Sequence, residues 1–354
     1  MSKTPGHSLP NLHACDTLLA EKTMPAGSLG VIEDIARRLA FIHNTLKPEV
    51  LRPTIIVFAA DHGIAAEGVS AYPQSVTASM VTNFLRGGAA INVLARQSQA
   101  ELLVVDAGVN AKLASHSGLI SARVGSGTQN FLHGPAMSKA QLETAMLHGR
   151  TLVNEVYEQG CNTIGFGEMG IANSSAAAVI MSQLCGVPLR QCVGPGTGLD
   201  DRGLQHKIAV LETAMARAPK LSKPEDVIAY FGGFELAMMC GAMLRASELR
   251  MAQLVDGYCS TAAFLVAHAI DPHLVDYSFF SHLSAEPGHA LALEHLGVKA
   301  LLQLSMRLGE GTGCAVALPL LRMATALVRE MATFDEAQIA KVSRAAKDAG
   351  SQQD

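Results

Sequence analysis

The stretch PTIIVFAADHG, residues 53–63, decides the fold of this chain. After the proline, residues 54–60 form an unbroken apolar and β-branched run, which stops at Asp61-His62-Gly63. A continuous run of this kind is typical of a strand that is buried on both faces of a parallel sheet. Similar runs occur near residues 102–105, 163–166 and 253–255, and each is followed by an acidic residue or a glycine. The chain therefore has at least four predicted buried strands.

Helical patterns lie between these strands. Ser138 and Gln141 have the spacing of a capping box, which predicts a helix that reaches about Glu158. Ser222 and Glu225 have the same spacing and predict a second such helix start. Alternating strands and helices predict an α/β fold, a doubly wound and mostly parallel sheet of Rossmann-like type.

The two ends of the chain read as helical. Apolar residues recur at helical spacing from Ser28 onward, and only helical periodicity is visible between Pro287 and Ala346. We expect residues 1–50 with 325–354 to form a small helical domain, and residues 51–324 to form the α/β domain.

Composition excludes several classes of protein. The 354 residues are 49% hydrophobic and 16% charged, which suits a large core and excludes disorder. Lys and Arg number 27 against 31 Asp and Glu, a net charge of −4 with no basic cluster, and Trp is absent. Nucleic-acid binders usually have a basic face and stacking aromatics, so no nucleic-acid partner is expected.

The cysteines and apolar runs indicate a cytoplasmic protein. Seven scattered cysteines, none in a C-x-x-C pair, are typical of thiols in a reducing compartment. The N-terminus has no signal-peptide pattern, and runs such as Ala315–Leu321 are too short to cross a membrane. No metal-binding motif occurs, so no metal ligands are expected.

A glycine-rich segment, GFGEMGIANSS at 165–175, follows one predicted strand. It formally matches the dinucleotide pattern G-x-G-x-x-G, but Glu168 in the turn would repel a pyrophosphate, and the acidic residue expected about 20 positions later is missing. The helix start that follows, with Asn173 and Ser174 (and Ser175) as caps or ligands, would suit a single phosphate. The alternative is an ordinary strand-to-helix turn.

Two further segments carry candidate residues. Lys207 ends the segment VGPGTGLDDRGLQHK and is either a phosphate-binding cation or a surface lysine. Glu310 lies between glycines in RLGEGTG, residues 307–313, with Leu308 and Val316 nearby. Apolar neighbours would raise its pKa towards neutrality and suit a general base, whereas the alternative is a charged residue near a helix start.

Acidic residues also follow the strands. Asp61 and His62 are interpreted as a hydrogen-bonded structural pair, since no further metal ligand follows at suitable spacing. Asp106 and Asp256 occupy equivalent strand ends, where they would orient loops or bind ribose hydroxyls.

Taken together, eight segments resemble one family in their order along the chain. From about residue 20 to 330 the chain resembles the nicotinate-nucleotide–dimethylbenzimidazole phosphoribosyltransferases, which make the lower-ligand nucleotide of cobalamin. The segments are KTMPAGSLGVIEDIA (22–36), AADHGI (59–64), GPAMSKAQ (134–141), GFGEMGIANSS (165–175), YFGGFEL (230–236), LVDGYCS (254–260), SHLSAEPGH (281–289) and RLGEGTG (307–313).

The resemblance implies a reaction and a set of site residues. Phosphoribose would pass from nicotinate mononucleotide to a benzimidazole-type base, with no cofactor and no metal, in a homodimeric enzyme. Glu310 would be the catalytic base, and Leu308 a neighbouring substrate contact. The other substrate-binding residues implied are Glu168, Gly170, Asn173, Ser174, Lys207 and Ser281.

One loop departs from the family pattern. Tyr72 and Met80 stand where many members that favour dimethylbenzimidazole have a small residue and a glutamine. Their bulk would favour a different acceptor, such as adenine or a phenol, or would be accommodated by repacking. Two other classes stay open: an NAD(P)-dependent oxidoreductase, resting on the G-x-G-x-x-G match, and a non-catalytic nucleotide or azole carrier with the same fold.

Overall fold

Seven parallel strands form one sheet in the computed structural model, which describes residues 10–196 and 198–340. The strand order is β3-β2-β1-β4-β5-β6-β7. The strands are β1 (Thr54–Ala60), β2 (Glu101–Gly108), β3 (Leu119–Ser121), β4 (Thr163–Met169), β5 (Ala252–Val255), β6 (Ser278–His282) and β7 (Ala300–Leu302).

The central strand β1 is the apolar run that begins after Pro53. All seven of its residues are buried, and it pairs in parallel with β2 on one side and β4 on the other. The chain proceeds outward from β1 to β2 and β3 on one side of the sheet, and from β4 to β5, β6 and β7 on the other. The boundary between β1 and β4 is therefore the switch point, where open α/β sheets bind ligands. The predicted α/β fold class is confirmed.

Three strands were not predicted. β3 and β7 have three residues each, too few for a pattern to be visible, and β6 was missed although all five of its residues are buried. The prediction of purely helical structure after Pro287 is therefore wrong at β7, and its last six residues lie outside the described part of the chain.

Helices connect and cover the strands. They are α1 (Pro10–Glu21), α2 (Val31–Ile42), α3 (Val76–Leu85), α4 (Ala90–Gln97), α5 (Lys139–Glu158), α6 (Asn173–Cys185), α7 (Leu189–Cys192), α8 (Asp201–Arg217), α9 (Pro224–Phe231), α10 (Phe234–Glu248), α11 (Tyr258–Ile270), α12 (Gly288–His295) and α13 (Thr312–Glu330), with 3₁₀ helices at Gly63–Glu67 and Pro272–Tyr277.

Both helices that were predicted from a capping box are present, as α5 and α9, but the predicted cap is confirmed only for α5. The Ser138 hydroxyl accepts a hydrogen bond from the Gln141 amide at 3.2 Å, and the Gln141 side chain accepts one from the Ser138 amide at 2.9 Å. Ser222 does not cap α9, which begins at Pro224 after Lys223 without a side-chain cap. Proline at the first helical position has no amide hydrogen to satisfy, which fixes the start without Ser222.

The chain divides into two units. One comprises the described parts of Met1–Glu49 and Leu320–Asp354, and the other is Val50–Pro319. In the first unit, α1 was not predicted and α2 begins at Val31, three residues after Ser28. Its two chain segments are joined by an antiparallel bridge between Lys22 and Thr333. The assignment of residues 1–50 with 325–354 to a small helical domain, and of 51–324 to the α/β domain, stays a prediction.

The apolar helix α13 is longer than the sequence suggested. It has 19 residues and is long and apolar enough to cross a membrane by length and composition, but 56% of its apolar window is buried within the protein. Core helices of soluble proteins pass the same test, so this is weak evidence for a membrane span. All seven cysteines are free thiols, and six of them are buried.

Helices α5 and α10 pack closely because each has a glycine at the crossing. A methyl group added to Gly149 of α5 would overlap the carbonyl oxygen of Met238, and one added to Gly241 of α10 would overlap that of Met146. Backbone of one helix therefore lies directly against backbone of the other.

We expect Gly149→Ala to destabilise the protein, although alanine is the better helix former by about 1 kcal/mol. Because the methyl group must push α10 away, the free energy of unfolding in a denaturant titration should fall by about 1–3 kcal/mol. Gly134→Ala is the control, since no atom lies within 4 Å of the added methyl group there. Equal stability of the two variants would contradict the close packing.

Candidate active site

The carboxyl ends of β4, β5 and β6 open into one cleft. The empty space within it, part of which is open to solvent, amounts to about 800 Å³. Its lining residues come from the strand ends, from the starts of α6 and α11 and from the loop before α13. They include Glu168, Gly170, Asn173, Ser174, Lys207, Asp256, Tyr258, Cys259, Ser260, His282, Ser284, Glu286, Arg307, Leu308 and Glu310.

Glu310 lies on a tightly folded loop that approaches the sheet. Its φ is +64°, and its neighbours Gly309 and Gly311 have φ of +85° and +83°. A left-handed conformation costs a residue other than glycine free energy and persists only where the surroundings impose it. Gly167 of β4 makes room for this loop, because a methyl group there would overlap the Gly311 amide nitrogen. The loop is therefore held by its contacts, with Glu310 at its centre.

The environment of Glu310 makes its carboxyl a candidate base. Burial, and then the negative charge of Asp256, raise its pKa to about 7. The predicted rise in the pKa of Glu310 is confirmed, but its cause differs in part. Leu308 is 57% exposed and cannot supply the desolvation, whereas Asp256 supplies a like charge that sequence spacing does not reveal. At neutral pH the carboxyl is about half ionised.

Glu168 is a second perturbed carboxyl in the same cleft. It is buried at the end of β4, and its side chain accepts a hydrogen bond from the Asn173 amide group. Burial, and then the charge of Asp256, raise its pKa to about 8. Glu168 is therefore largely a neutral carboxylic acid at pH 7, able to donate as well as to accept a hydrogen bond.

Lys207 is not a surface lysine. Its residue is 1% exposed, and its Nζ donates to the Ser174 hydroxyl at 3.0 Å and to the Gly194 carbonyl at 3.3 Å. Burial lowers its pKa to about 8, while the charge of Glu286 opposes that shift. The ammonium group is thus placed beside the start of α6.

A second cation lies close to Lys207. Arg307 donates to the Gly196 carbonyl at 3.0 Å, on the same loop that Lys207 contacts. Two cations beside a helix N-terminus form an anion site, because the helix dipole adds partial positive charge. The predicted side-chain caps of α6 are wrong: Ala172 precedes the helix with φ of +73° and no side-chain cap. Ser174 instead contacts Lys207.

The glycines of the dinucleotide-like pattern are explained by packing. A methyl group at Gly165 would lie 2.9 Å from Cβ of Cys314, and one at Gly170 would lie 2.5 Å from the Ala60 carbonyl oxygen. Like Gly167, these positions let other backbone segments approach the sheet. These contacts argue against the dinucleotide interpretation.

Three predicted substrate contacts do not line the cleft. Ser281 is buried on β6, where its hydroxyl lies 3.7 Å from the Cys314 sulfur. Tyr72 is 52% exposed before α3, and Met80 is half-buried on α3. Their proposed contacts with substrate stay predictions.

Asp61 and His62 are structural, but they are not bonded to each other. Asp61 Oδ2 accepts from the Asn110 amide at 2.7 Å, and His62 Nε2 lies 2.6 Å from a carboxylate oxygen of Glu235. The interpretation as a mutual pair is wrong because their side chains turn to different partners. Within the described residues no group of three or more His, Cys, Asp or Glu side chains is placed to hold a metal ion.

Sequence reasoning missed several cleft residues. Glu286 balances the cations, and Cys259 and Ser260 come from the start of α11. The rule that strand ends gather at one edge would have found Cys259 and Ser260, which closely follow β5. Glu286 has no such signal, because its place depends on how the loop after β6 folds back.

A cleft that holds a buried lysine and an arginine near one helix start, together with carboxyl groups poised near neutrality, is typical of an enzyme that acts on a small phosphorylated molecule. The family model described as "Phosphoribosyltransferase" matches residues 10–339, and the chain belongs to this family.

Its relatives carry a more specific name. The nicotinate-nucleotide–dimethylbenzimidazole phosphoribosyltransferase of Cupriavidus taiwanensis is 53% identical over 91% of this chain and 93% of its own length. The enzyme of the same name from Phocaeicola vulgatus is 44% identical over 90% of this chain and 92% of its own length. The crystal structure of CobT from Thermus thermophilus superposes with a TM-score of 0.90 at 42% identity, covering 94% of this chain and all of that one.

We expect Glu310→Gln to stabilise the folded protein above neutral pH. The pKa of Glu310 is raised on folding, so stability from its neutral form is present below about pH 4.5 and is lost as pH rises through about 7. Glutamine stays neutral, so its advantage should grow across this window to on the order of 1 kcal/mol at pH 8, after allowance for partial exposure. Denaturant titrations at pH 5 and pH 8 measure it.

The matched control is Glu143→Gln on the exposed face of α5. It should show the same small effect at both pH values. A Glu310→Gln advantage that did not change with pH would mean that the carboxyl titrates normally.

Proposed function

We propose that this protein transfers the phosphoribosyl group of nicotinate mononucleotide to 5,6-dimethylbenzimidazole or a related base, giving an α-ribazole 5′-phosphate-type nucleotide and nicotinate. The observation that carries the proposal is Glu310, a carboxyl with a pKa of about 7 in a cleft that also holds a buried anion site. The names of the relatives support the same reaction.

The reaction needs one base. The glycosidic bond from nicotinate nitrogen to C1′ of the ribose breaks, and its electron pair neutralises the pyridinium ring. The acceptor nitrogen forms a bond to C1′ from the opposite face, which inverts that carbon. The acceptor's other ring nitrogen loses its proton to the Glu310 carboxylate. General-base assistance of this kind contributes roughly 100- to 10,000-fold in rate.

The leaving group requires no acid. Nicotinate is a cation at its ring nitrogen while bound to ribose, and the ring departs neutral. Positive charge then spreads over the ribose, and the carboxyl groups of the cleft stabilise it when ionised. Asp256 accepts a hydrogen bond from the Gly311 amide and Glu168 lies beside Gly309, so both carboxyl groups border the loop that carries the base.

The anion site positions the ribose. The 5′-phosphate would lie against Lys207, Arg307 and the Ser174 hydroxyl at the start of α6, which fixes one end of the sugar. Holding the phosphate leaves C1′ only a limited set of positions relative to Glu310. Such orientation supplies much of the rate enhancement in two-substrate reactions.

We also propose a cytoplasmic homodimer, as the family resemblance implies. The seven free cysteines fit a reducing compartment. Tyr72 and Met80 do not line the cleft, so an acceptor panel is needed to rank the bases.

We expect purified protein to release nicotinate from nicotinate mononucleotide only when an azole acceptor is present. Product mass, recorded for dimethylbenzimidazole, benzimidazole, adenine and cresol, identifies which base is used. Glu310→Gln should bind nicotinate mononucleotide normally and lose about 100- to 10,000-fold in kcat.

Two results would overturn this proposal. Micromolar binding of NAD with no transferase activity would favour an oxidoreductase, and tight substrate binding with no turnover would favour a carrier. Full activity of Glu310→Gln would remove this residue from the role of base.

We expect Lys207→Met to raise the KM for nicotinate mononucleotide about 10- to 100-fold, because a charged hydrogen bond to phosphate is lost. The KM for the base should change little. Lys139→Met is the control, because that side chain is 88% exposed on α5 and outside the cleft. Steady-state kinetics with each substrate varied in turn measures both constants, and an unchanged KM for the nucleotide would exclude Lys207 from the phosphate site.

A further inference from the structure

Asp256 holds the loop that carries Glu310. It follows β5 directly and is 1% exposed. Its Oδ2 accepts a hydrogen bond from the Gly311 amide at 2.9 Å, and its Oδ1 accepts one from the Gly313 amide at 2.6 Å. These donors follow Glu310 by one and three residues. One carboxylate therefore connects the end of a central strand to the turn that presents the base.

The loop has one strained residue beside these contacts. Three successive residues, 309–311, have left-handed backbone, and only the middle one, Glu310, is not a glycine. Strain of this kind persists only where the surroundings impose it. Gly313 also fits closely, because a methyl group there would lie 2.6 Å from Oδ1 of Asp256. The carboxylate thus restricts the loop from two amides.

The contacts of Asp256 suit an ionised carboxylate that orients the loop. Burial raises its pKa, while the His282 ring and the amides of Gly311, Gly313 and Cys314 oppose that shift. The close contacts of its oxygens are hydrogen-bond donors, which stabilise the charged form. Of the two roles considered for Asp256, orienting a loop fits these contacts, and binding ribose hydroxyls stays a prediction.

The charge of Asp256 also faces Glu310. It is the second cause, after burial, of the raised pKa of that carboxyl. Other ionisable groups surround the same cleft, and each contributes to the field that Glu310 experiences. They are Glu168 on β4, Lys207 on α8, Cys259 on α11, His282 on β6, and Glu286 and Arg307 on loops.

We propose that Asp256 is the positioning residue for the catalytic base: it fixes the backbone of the Glu310 loop through the Gly311 and Gly313 amides. This inference rests on the proposed function. It adds a residue with two separable effects, one on geometry and one on charge.

Two substitutions separate these effects. Asp256→Asn removes the charge and one of the two acceptors. Asp256→Glu keeps the charge but has a longer side chain that displaces the loop. Both should lower kcat about 10- to 100-fold, since small displacements of a reacting group have effects of this size. The KM for nicotinate mononucleotide should change little, because Asp256 does not contact the anion site.

The pH profile of kcat distinguishes positioning from a purely structural role. Activity of the wild type rises as Glu310 ionises, so its acidic limb should have a midpoint near pH 7. Removing a like charge favours ionisation, so in Asp256→Asn the midpoint should move to lower pH by about one pH unit. In Asp256→Glu it should stay near the wild-type value. Asp106→Asn is the matched control, a buried strand-end aspartate that binds the Val109 amide outside the cleft.

The outcomes are distinguishable from failure of the proposed function. If wild type releases nicotinate with an azole but Asp256→Asn keeps full kcat and an unmoved acidic limb, Asp256 has no positioning role. If wild type itself does not turn over, the function is wrong and the carboxyl titration of Glu310, followed by ¹³C NMR in both proteins, still tests the effect of the charge. Circular dichroism and thermal unfolding establish that each variant is folded.

A third variant serves if neither substitution at Asp256 folds. Gly313→Ala leaves the Asp256 charge in place, but its methyl group would overlap Nδ1 of His282 and lie 2.6 Å from Oδ1 of Asp256, so it displaces both side chains from the loop. It should lower kcat without moving the acidic limb as far as Asp256→Asn would. Normal kcat in a folded Gly313→Ala variant would contradict the proposal that the Asp256 carboxylate holds the Glu310 loop in place.

Discussion

The site depends on one contact, the hydrogen bonding of a single buried carboxylate to two amides of a strained loop. Asp256 ends a strand in the middle of the sheet, so its position is set by the core and not by surface loops. The loop at 309–311 has a backbone that would relax if released. Binding the loop from the strand end therefore transfers the rigidity of the sheet to a residue 54 positions later in the chain, Glu310.

The same contact explains why so many glycines lie near the cleft. Gly165 and Gly167 lie on β4, and each removes a side chain where the loop before α13 or the start of that helix reaches the strand. Gly170 allows the turn after β4 to lie against β1. The G-x-G-x-x-G pattern of residues 165–170 resembles a phosphate-binding fingerprint, because phosphate binding and close packing of chain segments both need a backbone that can be approached without a side chain in between. Here the close partner is the protein's own chain, and the anion site is formed instead by Lys207 and Arg307.

Features that depend on local sequence could be predicted, whereas those that depend on distant partners could not. The β1 strand and the Ser138 cap follow from neighbouring residues, so both were found from the pattern. The burial of Lys207 depends on Ser174, 33 positions earlier, and spacing along the chain carries no trace of that contact. Asp256 was predicted to follow a strand, but whether its carboxylate orients a loop or binds a ligand could be judged only from the position of the Gly311 amide. Likewise, β7 has only three residues, so it is recognised as a strand by its pairing with β6 and not by a sequence pattern.

The charge distribution of the cleft has a chemical consequence. Among the described residues that line it are four carboxyl groups and the two cations Lys207 and Arg307. Burial alone would neutralise the carboxyl groups, and two of them have a pKa raised to about 7 and about 8. A substrate that carries a phosphate at one end and a positive ring at the other complements both parts of this field. Because positive charge moves from the ring to the ribose as the glycosidic bond breaks, ionised carboxyl groups favour the transition state over the ground state to the extent that they lie closer to the ribose than to the ring.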